Sequence, residues 1–327
     1  MGLLTLALLI DIFLGDPDWL WRRAPHPVVL IGNLIDRFDK FRDKERFKIL
    51  AKRLGLSSVS AAEMALGAVL LVVLLVIALG IGNLLGYFGT IGWVIELIAV
   101  AVLVAQKSLY DHVARVAQAL RSEGVPGGRV AVSMIVGRDV SRLDESGVCK
   151  AAIESLAENF SDGVVAPVFW YVVGGLPGIL FYKAVNTADS MIGHRTPRHE
   201  YFGKPAAKLD DWMNWPAARI TSLLVIASVA LARGGRAAGN VWSVTLRDAG
   251  SHRSPNAGWP ESSFAAALNL ALGGPRNYGS DQVEAAFLNA EGRTVAKPID
   301  IDKSLSLFLR SCIFLIALCG LLWIMFG

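Results

Sequence analysis

The chain holds 327 residues, of which 54% are hydrophobic and only 18% charged, where a soluble domain carries about 25% charged residues. The deficit is concentrated in a few long apolar runs, which excludes one oversized soluble core and points to membrane spans. A formal net charge of +4 without a dense Lys/Arg face excludes a nucleic-acid-gripping domain, and the basic residues beside apolar runs set membrane orientation instead.

Met1 to Leu14 is apolar, interrupted only by Asp11, and has no basic n-region. Gly15-Asp16-Pro17 stands where a signal peptide would need small residues for cleavage, so this segment reads as a retained membrane helix or interfacial anchor. Just beyond it, Asp16, His26-Pro27 and Gly32 form a polar cluster. Ala65 to Leu85 meets the roughly 20-residue requirement for a span, and a shorter run over 90–106 pairs with it. Glu96 lies inside that second run and has to face protein or water. Lys and Arg crowd the stretch from Lys40 to Arg53 before the first span and recur from Lys107 to Lys150 after the second. Both flanks are therefore expected in the cytoplasm, with the Gly86–Thr90 turn outside.

Residues 107–304 are mostly polar. Ser141-Arg142-Leu143-Asp144 has capping-box spacing, which predicts a helix from there to about Asn159. The apolar stretch 164–182 contains Pro167, Gly174-Gly175 and Pro177-Gly178. It predicts a broken or re-entrant element, whose backbone must be covered by protein or water. The segment 217–232 is short for a crossing, and 305–326 qualifies as a last span. Cys149, Cys312 and Cys319 show neither a disulfide framework nor a zinc motif and read as buried small hydrophobes. With no internal repeat or linker, the expected fold is all-α: a single-domain polytopic membrane protein of about four to six membrane-embedded helices with a large cytoplasmic-side region.

The polar residues that can carry chemistry sit at the borders of these runs. Glu154, Glu158 and Asp162 recur at i, i+4 and i+8, a stripe of carboxylates that repel one another unless cations answer them. Lys183, Asn186, Asp189 and Ser190 follow the Gly/Pro-interrupted run, and Asp210-Asp211 precede the 217–232 segment. Hard oxygen ligands at a membrane border suit Mg²⁺, which is held by one or two carboxylates plus phosphate oxygens. The competing account of Asp189 or Asp210 is a helix cap. The stretch from Asp248 to Glu261 presents His252, Arg253, Ser254 and Asn256 between turn-forming Pro255 and Gly258. There a cation can bind phosphate, or His252 can move a proton. Gly273-Gly274 opens a glycine-rich turn of weaker meaning. Walker A, GxGxxG, HExxH and GxSxG motifs are all missing from the sequence, so any nucleotide is held by other means.

Together these motifs resemble the adenosylcobinamide-phosphate synthase family of cobalamin biosynthesis (CobD/CbiB). The resemblance runs from Gly15-Asp16-Pro17 and His26-Pro27-Val28, through Arg138-Asp139, Glu154-Ser155-xx-Glu158-Asn159-xx-Asp162-Gly163 and Lys183-Ala184-x-Asn186-Thr187-x-Asp189-Ser190-Met191, to Asp210-Asp211, Asn214 and His252-x-Ser254-Pro255-Asn256. One departure is His194, followed by Arg195 to His199, where relatives carry an aromatic. The resemblance implies ATP-dependent condensation of adenosylcobyric acid with (R)-1-amino-2-propanol O-phosphate, or a related aminoalcohol phosphate, using Mg²⁺ at the cytoplasmic face of the inner membrane. On that reading Glu154, Glu158, Asp162, Asp189 and His252 are catalytic, and Glu158, Asp162, Asp189, Asp210 and Asp211 hold metal. Asp16, His26, Lys183, Asn186, Ser190, Arg219, Arg253, Ser254 and Asn256 handle substrate and phosphate. Lipid is the expected environment, no nucleic acid is expected, and a homo-oligomer is compatible. Two rivals come from other classes. A transporter of a corrinoid or another anionic small molecule would fit the broken helices and Glu96, but lacks two similar halves. A CDP-alcohol phosphotransferase would need an arginine that Asp162-Gly163-Val-Val-Ala-Pro167 does not supply.

Overall fold

The computed structural model describes residues 1–15, 26–56, 58–194, 196–278, 281–283 and 285–326. Among these residues the chain is almost entirely helical, and five helices are long and apolar enough to cross a membrane. The protein is a helical membrane protein. Its chain folds as two compact units: one of Met1–Gly15, Val104–Ala166 and Asn214–Gly327, the other of Asp16–Leu103 and Pro167–Met213.

The first unit contains α1 (Gly2–Leu14), ending on Gly15 with φ 63°, and α6 (Gln106–Ser133). Buried Gln106 ties the two together: its backbone N–H and its Nε2 both donate to Asp11 Oδ2, at 2.8 and 3.2 Å, and Nε2 also donates to Leu8 O. The packing partners are α7 (Glu145–Phe160), α10 (Gly235–Asp248), α11 (Gly258–Leu268) and α12 (Pro298–Phe326). Helix α7 buries Ile153, Leu156 and Phe160, and the Phe160 ring meets Phe308 edge-on at 5.0 Å. Between α11 and α12, antiparallel pairs join β1 (Leu272–Gly273) to β4 (Phe287–Leu288) and β2 (Arg276–Tyr278) to β3 (Asp281–Val283). The N-cap of α7 is Asp144, whose Oδ1 accepts the Gly147 N–H at 2.7 Å. Ser141, placed by its spacing in that role, is held in the preceding turn, where its own N–H donates to Asp139 Oδ1 at 2.9 Å.

The second unit contains α2 (Pro27–Arg42), α3 (Glu45–Arg53), α4 (Val59–Gly86) and α5 (Gly89–Leu103). Ile35, Leu70, Leu74, Ala184, Ala188, Ile192, Phe202 and Ala206 form one of its cores. Glu96 is met by protein, as its position in an apolar run requires: Tyr171 donates its hydroxyl to Glu96 Oε1 at 2.8 Å. Helix α8 (Ala166–Ala188) carries the predicted break at Gly175, where φ 60° and ψ −150° interrupt the helix two residues before Pro177. Gly124, two residues before Pro126, repeats the device within α6 with φ 68° and ψ −158°. The 217–232 segment gains its length from the other side, as the end of α9 (Lys204–Arg233). All three cysteines are buried and free.

Candidate functional site

In the first unit, α7 passes directly into a π-helical turn, Ser161–Val165. Such turns widen the backbone and recur at functional sites. The Gly163 carbonyl accepts the Ala105 N–H at 3.1 Å, and Asp162 stands half-buried at the second position of the turn. The sequence groups Glu154, Glu158 and Asp162 as one stripe; their surroundings separate them. Glu158 is exposed, whereas Glu154 is buried, receives Arg138 Nη2 on Oε2 at 2.8 Å and takes the Gly273 N–H on Oε1 at 2.8 Å. A buried carboxylate needs this neutralisation.

The other polar cluster of this unit grows from the turn between α10 and α11. Gly258 lets that turn close, since a Cβ there would lie 2.2 Å from Ala249 O and 2.7 Å from His252 Cβ. Ser254 Oγ accepts the N–H groups of Asn256 and Ala257 at 3.2 and 3.1 Å. The Ser254 N–H donates to His252 Nδ1 at 3.0 Å, and His252 Nε2 lies 3.7 Å from Oε1 of buried Glu261. This arrangement places the proton of a neutral His252 on Nε2, facing a carboxylate. Asn256 Oδ1 accepts Arg219 Nη1 at 3.0 Å. The Arg219 guanidinium stands over Trp215 at 4.6 Å and Trp259 at 4.7 Å, a double cation–π contact. Four residues that the sequence assigns to phosphate and proton handling are thus drawn into one hydrogen-bonded group, with Arg253 exposed on the same loop.

In the second unit, α8 passes into another π-helical turn, Asp189–Gly193, with half-buried Asp189 at its first position. A Cβ on Gly193 would lie 1.9 Å from Asp189 Oδ1, and one on Gly203 would lie 1.7 Å from Ile192 O, so both glycines shape this acid's surroundings. Asp189 lies within electrostatic reach of Asp211 and His194. Asn186 Nδ2 donates to Asp210 Oδ1 at 3.2 Å, and the Asn186 carbonyl accepts Ser190 Oγ at 2.9 Å. Lys183 is half-buried, and its carbonyl accepts the Thr187 hydroxyl. Asp210 and Asp211 lie inside α9 and Asp189 follows α8, so none of the three is a helix N-cap. His26 is one: its Nδ1 accepts the Val28 N–H at 3.2 Å. Asp16 lies outside the described residues. Of the basic residues after His194, Arg198 and His199 turn to α2 and the turn that follows it, where Arg198 bonds Asp39 and Asp43 at 3.0 and 2.9 Å and His199 approaches Asp39 at 3.4 Å; Arg195 lies outside the described residues.

Among the described residues, no group of three or more His, Cys, Asp or Glu side chains could hold a metal ion. Asp189 with Asp211 is a pair, and a pair suffices for Mg²⁺ when phosphate oxygens and water complete the shell. Sequence reasoning missed Glu261, Trp215 and Trp259. Only the i, i+4 spacing of Trp215 and Arg219 hints at them, because the other contacts come from the tertiary turn at Gly258.

The family model described as CobD/Cbib protein matches residues 4–308. A cobalamin biosynthesis protein CobD from a Sinorhizobium species is 51% identical over 314 residues, covering 95% of this chain and 94% of its own. The protein of the same name from Brucella suis is 53% identical, covering 93% and 91%, and that from Rhodobacter capsulatus is 44% identical, covering 98% of both. No solved structure matches the chain.

Proposed function

The chain belongs to the CobD/Cbib protein family, which supports a role in cobalamin biosynthesis, and from that premise we propose that it is an adenosylcobinamide-phosphate synthase. The reaction joins the carboxylate of adenosylcobyric acid to the amine of an aminoalcohol phosphate as an amide, in the cell membrane and at its cytoplasmic face. A carboxylate is a poor electrophile. Transfer of the ATP γ-phosphoryl group to it gives an acyl phosphate and ADP; amine attack then forms the amide and releases phosphate and a proton.

The acids support this chemistry. Asp189 and Asp211 would hold Mg²⁺ together with phosphate oxygens, and the ion would supply charge neutralisation during phosphoryl transfer. Asn186, by donating to Asp210, fixes the neighbouring carboxylate. Glu158, which is exposed, or Asp162, which is half-buried, would accept the amine proton. His252, with Nδ1 taking a backbone N–H and Nε2 facing Glu261, serves better to orient its loop than as a free base. Arg219 and Asn256 would present the loop to substrate phosphate, with Arg253 beside them. Glu96, the residue that most invites a transporter reading, is satisfied by Tyr171 and needs no transported ion.

The observation carrying the proposal is that the family match spans both π-helical turns bearing Asp162 and Asp189. The test is mass spectrometry after incubating purified protein with adenosylcobyric acid, ATP, Mg²⁺ and a panel of aminoalcohol phosphates. The condensation product is expected with at least one of them. No mass gain with any would overturn the assignment.

A further inference from the structure

A cavity of about 290 Å³ opens in the first unit, between the turn at 138–143, the first half of α7 and the strands at Gly273 and Phe287. Arg138, Arg142 and Lys150 line it, with Asp139 and Glu154 as the acids. Both acids are engaged. Glu154 is held by Arg138 Nη2 and the Gly273 N–H, and Asp139 is held by the Ser141 N–H within its own turn. The cations are less fully answered. Arg138 keeps a buried Nε with no hydrogen-bond partner among the described residues, although its side chain is only 14% exposed. Lys150 sits over the Phe287 ring at 5.9 Å, and neither it nor Arg142 is hydrogen-bonded to a carboxylate among the described residues. The lining sets three cations against two carboxylates, and that excess of positive charge favours an anion in the cavity.

We propose that this cavity binds a phosphate group, as free phosphate or as a phosphate monoester. Arg142 and Lys150 supply the charge and the donors, and Phe287 walls the side where an organic substituent would lie. Arginine suits a tetrahedral oxyanion because its planar fork offers paired N–H donors. Glu154 then acts as a positioning residue, aiming Arg138 and tethering Gly273 while its charge also reaches Lys150. The pocket would bind phosphate whether or not the chain forms amide bonds, so binding is measured apart from turnover.

Titration calorimetry with inorganic phosphate, on the full-length protein in neutral-lipid nanodiscs, should show saturable binding that weakens as salt rises. R142A/K150A should lose at least tenfold in affinity, while R142K/K150R should keep most of it. A second titration in phosphatidylglycerol nanodiscs separates the sources. Unchanged affinity assigns the pocket to a soluble phosphate, and affinity lost by competition assigns it to a lipid headgroup. No saturable binding by the wild type, or equal binding by R142A/K150A, overturns the proposal.

Discussion

The two π-helical turns use one backbone device to different ends. At Ser161–Val165 the helix continues straight into Ala166, and the wide turn offers its Gly163 carbonyl to the Ala105 N–H. At Asp189–Gly193 the helix stops: His194 is extended, and the chain returns so closely that neither Gly193 nor Gly203 has room for a Cβ. The first turn is a join inside a helix, while the second is a crowded terminus in which an acid is pinned by its neighbours. A pinned carboxylate costs less to organise around an ion or a phosphate than a free one. The difference therefore singles out Asp189 as the more sensitive of the two turn acids.

The largest expected effect follows from that. Asp189→Asn should lower turnover by at least about 10²-fold, in the range that a positioned acid–base or ligand group contributes, while the protein still inserts and keeps its melting temperature. Product formation by mass spectrometry measures it, and full activity would remove Asp189 from the site. A glycine pair sharpens the comparison. Gly193→Ala drives a methyl group onto Asp189 Oδ1, whereas the Cβ of Gly163→Ala meets only Ala105 Cβ, at 3.8 Å. The former should lose about 10²-fold in turnover, as displacement of a reacting group by about 1 Å does, and the latter should stay near wild type. Equal losses in both would mean that the turns are equivalent after all.

Much of this fold is legible in the sequence. Apolar run length identifies the spans at 65–85 and 305–326, and Gly174-Gly175 with Pro177 marks the break at Gly175, because glycine and proline act through local backbone sterics. The twin break at Gly124 escapes notice because it lies in a polar region where hydropathy is silent. The cap of α7 is misplaced by three residues because Ser141 and Asp144 both have capping chemistry, and only the competing bond from Asp139 decides between them. In the candidate site, motif order groups the candidate residues. It does not reveal that Glu154 turns inward to Arg138 or that Trp259 closes over Arg219 opposite Trp215, since those contacts are set by tertiary packing and not by local spacing.

Glu154 gives the next effect, one of stability. It is 5% exposed and answers Arg138, whose side chain is 14% exposed. Glu154→Ala leaves a largely buried cation without its carboxylate and frees the Gly273 N–H, so a loss of about 3–5 kcal/mol is expected. Thermal unfolding in detergent should register it as a clear drop in melting temperature. Glu158→Ala, at an exposed position on the same helix, should change stability by no more than about 0.5 kcal/mol. Were the two variants equally stable, the inward turn of Glu154 would carry no structural weight.

The smallest effect is a titration at the end of α10. Asp248 is held below the ordinary carboxylate range, chiefly by the side-chain hydrogen bond from Arg247 and also by the Asn289 N–H, which it accepts at 2.7 Å. A group whose folded pKa is depressed contributes stability that is fully present above its unfolded value, about 3.9 for Asp, and that is lost as pH falls through the lower folded value. Arg247 is 49% exposed, so solvent screens the pair and the contribution is small. The melting temperature of the wild type should therefore exceed that of Asp248→Asn by a nearly constant few degrees from pH 7 to about 5, and the gap should close as pH drops below about 4. Asn can still accept the Asn289 N–H, so the variant removes the charge while keeping the tie. A gap that persists unchanged to about pH 3 would assign the stabilisation to packing of the side chain and not to its ionised form.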